Sequence, residues 1–202
     1  MSMANVKRRR SRRDKGFTLL EILLAVAVGA IATAFATVQL ATAVKLAHIN
    51  DAVQLVEKQM RSIHQRAIDT RSEYIMTFTA PGTIQIQYLQ NGVLLNYQTV
   101  NLPSDEQFLL INGVPINPKT PDGFGNGNKA IDFDQALGGG SNKLYFYPDG
   151  TVLDAAGNPN NGVVYIARTG DLYSSRALSI WGVTGRIKSW TLVNVAGVPR
   201  WQ

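Results

Sequence analysis

Few residues in this chain could do covalent chemistry. There is no cysteine among its 202 residues, which excludes a thiol nucleophile, a disulfide and a cysteine-ligated zinc site. His48 and His64 are the only histidines. They have no acid–nucleophile setting and no partner at metal-ligand spacing, and they read as ordinary polar-face residues. No Gly-x-Ser-x-Gly and no phosphate loop occurs. Asp122, Asn126, Asn128, Asp132 and Asp134 bring oxygen ligands together in a Gly-rich stretch that could hold Ca²⁺. That stretch lacks the glutamate and spacing of an EF-hand loop, and a plain Gly/Asn loop is the simpler account. No enzyme, metal or cofactor is therefore expected. The remaining candidate is a single carboxylate, Glu21, at the edge of an apolar run. An ionisable group there is costly without a partner. It could instead reach for the headgroup layer or favour the positive end of a helix dipole.

The element that positions Glu21 is a helix. From Ile22 to Val38 no residue is charged and most are Ala, Val, Ile, Leu or Phe. A bilayer core takes roughly 20 helical residues, so a membrane-spanning segment is expected over 17–44. No proline lies between Phe17 and Pro81, and the helix should continue to about residue 72. Ala25, Ala27, Gly29, Ala30, Ala32, Ala34 and Ala36 would let other helices approach closely. Over 45–72 the pattern becomes amphipathic. Val53, Val56, Met60, Ile63 and Ala67 follow three- and four-residue spacings, a stripe suited to packing under a sheet. At about two heptads it is short for a coiled coil.

Upstream, residues 1–16 hold seven of the twenty Lys and Arg and one of the fourteen Asp and Glu. The remainder has thirteen of each, so the high pI belongs to this leader and is no sign of nucleic-acid binding. Dense positive charge before a first apolar helix keeps that side cytoplasmic. Arg8-Arg9-Arg10-Ser11-Arg12-Arg13 also has the look of a twin-arginine export signal.

Downstream, 73–202 reads as one β-rich domain. Ile84, Ile86 and Tyr88 alternate, and Asn91-Gly92 offers a hairpin turn into 93–97. A second pair flanks Pro148-Asp149-Gly150, and 163–167, 178–183 and 187–193 supply three more strands. Residues 115–140 lack periodicity and are expected to form an exposed excursion. The fold class expected is α+β, a long N-terminal helix packed on an antiparallel sheet domain.

Lys15-Gly16-Phe17-Thr18-Leu19-Leu20-Glu21, with the basic leader before it and the apolar helix after it, resembles the N-terminus of type IV prepilins and type II secretion pseudopilins. The resemblance implies a pilin-like fold and cleavage by a prepilin peptidase between Gly16 and Phe17. It also implies methylation of the new Phe17 amine and packing of subunits into a filament. Glu21 would then meet a neighbouring subunit's N-terminal amine. It places the chain in a bacterial inner membrane, N-terminus cytoplasmic and C-terminal domain periplasmic, before it joins a pilus or pseudopilus. The helix-disrupting proline that many pilins carry near this region is absent.

A weaker resemblance covers roughly the last 60 residues. Tyr145 to Thr151, Val163 to Ala167 and Gly185-Arg186-Ile187-Lys188 are similar in order to H-type minor pseudopilins and FimT-type minor pilins. The latter are associated with DNA uptake, which makes Arg186 and Lys188 possible DNA contacts. Lys188 stands where that element has a second arginine, and lysine lacks the planar fork that grips phosphate. Arg168, Arg176 and Arg200 could extend a basic patch, and Tyr173, Trp181, Trp190 and Trp201 could stack bases. Charges guarding a sheet edge are the alternative. The expected function is a minor pseudopilin or pilin subunit, with DNA uptake as the alternative and a signal-anchored β domain outside any filament as a third reading.

Overall fold

A computed structural model describes residues 17–103, 105–133 and 141–202. The one α-helix among the described residues, α1, spans Leu19–Thr70. The strands follow as β1 (Tyr74–Thr79), β2 (Thr83–Gln90), β3 (Val93–Asn101), β4 (Gln107–Phe108), β5 (Ile131–Asp132), β6 (Lys143–Phe146), β7 (Val152–Leu153), β8 (Gly162–Ala167), β9 (Arg176–Trp181), β10 (Arg186–Val195) and β11 (Val198–Trp201). The chain divides into two units, 1–43 and 44–202.

In the second unit every strand pairing is antiparallel. The strands form two sheets rather than one. The first has the order β3-β2-β1-β6-β7; the second runs β11-β10-β9-β8-β4, with β5 also paired to β8. The stripe on α1 builds the core against both. Ile49, Ala52, Val56, Met60, Ile63 and Ala67 are buried with Met76, Phe78, Ile84, Ile86, Leu144 and Phe146 of the first sheet. The same cluster takes in Val164, Ile166, Leu178, Ile180 and Ile187 of the second. Each fully buried side chain of this size contributes roughly 1.5–3 kcal/mol.

Local chemistry sets the turns. Asn91 and Gly92 have φ of 52° and 78°, the doubly left-handed pair that joins two strands with the right twist. The β10–β11 hairpin uses Ala196 and Gly197 at φ 52° and 83°, and the Asn194 side chain accepts from Gly197 N at 2.8 Å.

Residues 115–133 are exposed only in part: Ile116 to Lys119, Asn126, Asn128 and Lys129 face solvent, while Thr120, Pro121, Gly125, Asp132 and Phe133 are buried. Together with Leu110, Ile111 and Val114, Phe124 packs on Val163, Tyr165, Ala177, Trp190 and Leu192, the face of the second sheet that α1 does not cover. β8 is consequently buried at all six positions. The sequence does not show this cover because the covering residues are spaced by turns, with no strand or helix period to betray them. Residues 134–140, including Asp134, lie outside the described residues.

Candidate functional site

Gly16 lies outside the described residues; Phe17 is exposed at the head of α1. Thr18 and Glu21 cap the helix reciprocally. Glu21 N donates to Thr18 Oγ1 at 3.2 Å, and Thr18 N donates to Glu21 Oε2 at 3.5 Å. This is a Thr-x-x-Glu capping box, so Glu21 specifies where the helix starts. No basic side chain is within ion-pair distance of Glu21 among the described residues. Around it, Leu19, Leu20, Ile22, Leu23, Leu24, Val26, Val28, Ile31 and Phe35 are all exposed. Thr33 and Thr37 return their hydroxyls to Gly29 O and Ala34 O, which hides these donors from an apolar medium. The helix is long and apolar enough to cross a membrane. A methyl added at Gly29 would meet nothing within 4 Å among the described residues.

The basic residues of the β domain do not gather into one free patch. Arg186 and Lys188 share a face of β10, two residues apart. The Arg186 guanidinium lies 5.4 Å from the Trp181 ring centre and 3.5 Å from an Asp122 oxygen. The Lys188 ammonium sits 3.4 Å above Trp190. Arg176 is buried, bonded to Asn50 Oδ1 and to the carbonyls of Tyr173 and Ser175. Burial holds its guanidinium below the ordinary value, against the pull of Asp171 and Glu106. Arg168 donates to buried Glu106 at 2.6 Å and approaches Asp105 at 3.8 Å. Burial raises the Glu106 carboxyl above its usual range even though Arg168 lowers it.

Asp122 is one of the oxygen donors in the Gly-rich stretch that could hold Ca²⁺. Its carboxylate instead accepts from the Ser179 hydroxyl and the Trp181 indole N–H as well as facing Arg186, which pins the covering segment to β9 and β10. Asp132 accepts from Asn126 N at 3.0 Å. Among the described residues no three His, Asp or Glu side chains gather in a metal-binding arrangement. Aspartate-plus-glycine composition signalled a loop, but its spacing carried no information about which strand the loop would meet.

His64 is likewise more than a polar-face residue. Its Nε2 is 2.8 Å from Gly150 O in the Pro-Asp-Gly turn, and its ring packs on Phe146. Gly185 closes the same junction at φ 64°, where a Cβ would run into His64 Nε2. The Pro-Asp-Gly turn and the Gly-Arg step, read separately in the sequence, therefore meet on one side chain of α1. A lone histidine at helical spacing gave no signal of this.

Residues 11–37 match the family model described as the prokaryotic N-terminal methylation motif, so the chain carries a prepilin-type N-terminus. No curated protein gives a significant match. Among solved structures, the minor pseudopilin EpsH from the type 2 secretion system of Vibrio cholerae is similar at 12% identity. That alignment covers 71% of this chain and 97% of EpsH, with a TM-score of 0.46.

Proposed function

We propose that this chain is a minor pseudopilin or minor pilin, a structural subunit of a type II secretion pseudopilus or a type IV pilus. In this reading a prepilin peptidase cuts between Gly16 and Phe17. The new Phe17 amine is methylated, and the subunit leaves the inner membrane for the filament by packing its helix against those of other subunits. Its β domain is periplasmic. The observation that carries the reading is the fixed register of Gly16, Phe17 and Glu21 within the matched motif, at the head of a helix whose first large apolar residues, Leu19 to Phe35, are exposed among the described residues. A carboxylate in lipid costs several kcal/mol without a partner. A neighbour's N-terminal amine would supply that partner, so Glu21 biases the subunit toward the assembled state.

Intact mass and N-terminal sequencing of the membrane-extracted chain, with and without a co-expressed prepilin peptidase, test the processing step. A chain beginning at Phe17 with one added methyl is expected; an uncut leader in the presence of active peptidase sinks the reading. Glu21 needs a separate test because it both caps and carries charge. Glu21→Gln keeps the capping partner and removes the charge, so it should be cut normally yet fail to enter filaments, as should Glu21→Ala. Normal filaments from Glu21→Gln would reduce Glu21 to a cap.

DNA uptake through Arg186 and Lys188 is the weaker reading. Asp122 offsets one of the two cations, and affinity for DNA leans on clustered, unpaired positive charge.

A further inference from the structure

A cleft of about 370 Å³ lies beside β11, lined by Pro115, Lys119, Thr120, Trp190, Val198, Pro199, Arg200 and Trp201. That volume is within the range of small-ligand sites, which join apolar walls to a few polar groups. No acidic residue lines it, while Lys119 and Arg200 do, and the Lys188 ammonium rests on its Trp190 wall. Neither Lys119 nor Arg200 has a carboxylate partner among the described residues. Its walls are two indoles and two prolines.

The edge of β11 narrows the choice of occupant. Thr191 and Gln202 exchange both backbone hydrogen bonds, at 2.8 and 3.0 Å. By the alternation of an antiparallel ladder, the main-chain groups of Trp201 and Pro199 therefore point away from β10. Proline has no N–H to offer, so this edge presents one donor and is a poor template for an added strand. One N–H flanked by cations is instead suited to an anion.

We propose that this cleft binds a carboxylate carried on a flat or branched apolar body. The anion lies toward Lys119, Arg200 and the Trp201 main-chain N–H, and the body lies against Trp190, Trp201, Pro115 and Pro199. The same chemistry is presented by a free aromatic acid and by the C-terminal residue of a polypeptide.

The test uses the full chain, ¹⁵N-labelled, in zwitterionic detergent micelles, and follows the indole N–H signals of Trp181, Trp190 and Trp201. The probes are 3-phenylpropionate and its amide, an acetylated tripeptide ending in phenylalanine as the free acid and as the amide, and a short oligothymidylate. The acids are expected to shift Trp190 and Trp201 but not Trp181, and to bind about fivefold or more tightly than their amides. Lys119→Gln with Arg200→Gln should abolish that preference while the unliganded spectrum stays folded. Tighter binding by phenylpropionate assigns the site to small acids, and tighter binding by the peptide acid assigns it to chain ends. Equal binding of acid and amide, shifts at all three indoles, no shift at millimolar probe, or tighter binding of the oligothymidylate at the same indoles would overturn the proposal.

Discussion

Residues 19–43 and 44–70 of α1 are both helical and both rich in apolar side chains, and they differ in what receives those side chains. In the second stretch Ile49, Ala52, Val56, Met60, Ile63 and Ala67 vanish into the core. In the first, Leu19 to Phe35 present theirs outward in every direction. A helix apolar all round is of the kind found in a large core or a membrane span, and on the proposed function lipid or other helices would complete the first stretch, as the chain's own core completes the second. The same hydrophobic effect serves folding in the second stretch and, on the proposed function, would serve location and assembly in the first.

The largest test of this contrast sets Met60→Ala against Ile31→Ala in the full chain in micelles, followed by thermal unfolding of the β domain. Met60 is fully buried, and its truncation should cost about 2–5 kcal/mol. Ile31 is 59% exposed, and its truncation should leave the unfolding transition where it was. A comparable loss from Ile31→Ala would erase the distinction between the two stretches.

A second test of comparable or slightly smaller size lies within the β domain, at its buried charge. Removing Arg168 strands the Glu106 carboxylate, and Arg168→Ala should cost about 3–5 kcal/mol, while Arg168→Met with Glu106→Leu should recover most of that. Because the folded Glu106 carboxyl is raised above its unfolded value, the stability it contributes is full below the usual glutamate range and is lost as pH rises through its folded value. Chemical denaturation across that interval should show the decline in the wild type and not in Glu106→Gln.

The smallest test sharpens where α1 meets the turns. Gly185→Ala is expected to cost about 1–3 kcal/mol through its left-handed backbone and its clash with His64. His64→Ala should cost about 0.5–1.5 kcal/mol. The double variant should lose less than the sum, because removing His64 relieves one close contact of the new methyl and leaves that with Gly150 O at 2.8 Å. Strict additivity would mean that the two positions do not share a junction.

What the sequence made legible follows the range of the forces involved. The helix was readable from its apolar run and stripe. The Asn91-Gly92 and Pro148-Asp149-Gly150 turns were readable from local backbone preference. Ala196-Gly197 was not, since alanine at positive φ runs against its propensity and is held there by the hairpin it closes, with Asn194 bonded to Gly197 N. The separation into two sheets depends on which strands become neighbours across long intervals, and hydrophobic alternation alone does not encode that. The covering role of 115–133 was hidden for the same reason, and so was the work of Asp122, whose partners are 57 and 59 residues away. At the N-terminus the register of Phe17 and Glu21 was plain. The Thr18-x-x-Glu21 spacing of the capping box is also local, and the charge of Glu21 gives no sign of it.

The double cover over β8 has a consequence in time rather than in energy. A strand buried on both faces meets solvent only when both covers are displaced, and the slowest openings of a protein belong to such strands. The segment pinned by Asp122 is the outer cover, joined to the sheet by a few polar contacts and a handful of side chains. The helix is the inner one, joined by the whole core. Water should therefore enter this domain in a fixed order, first beneath the loop and last beneath the helix, with β8 keeping its amide protons longest.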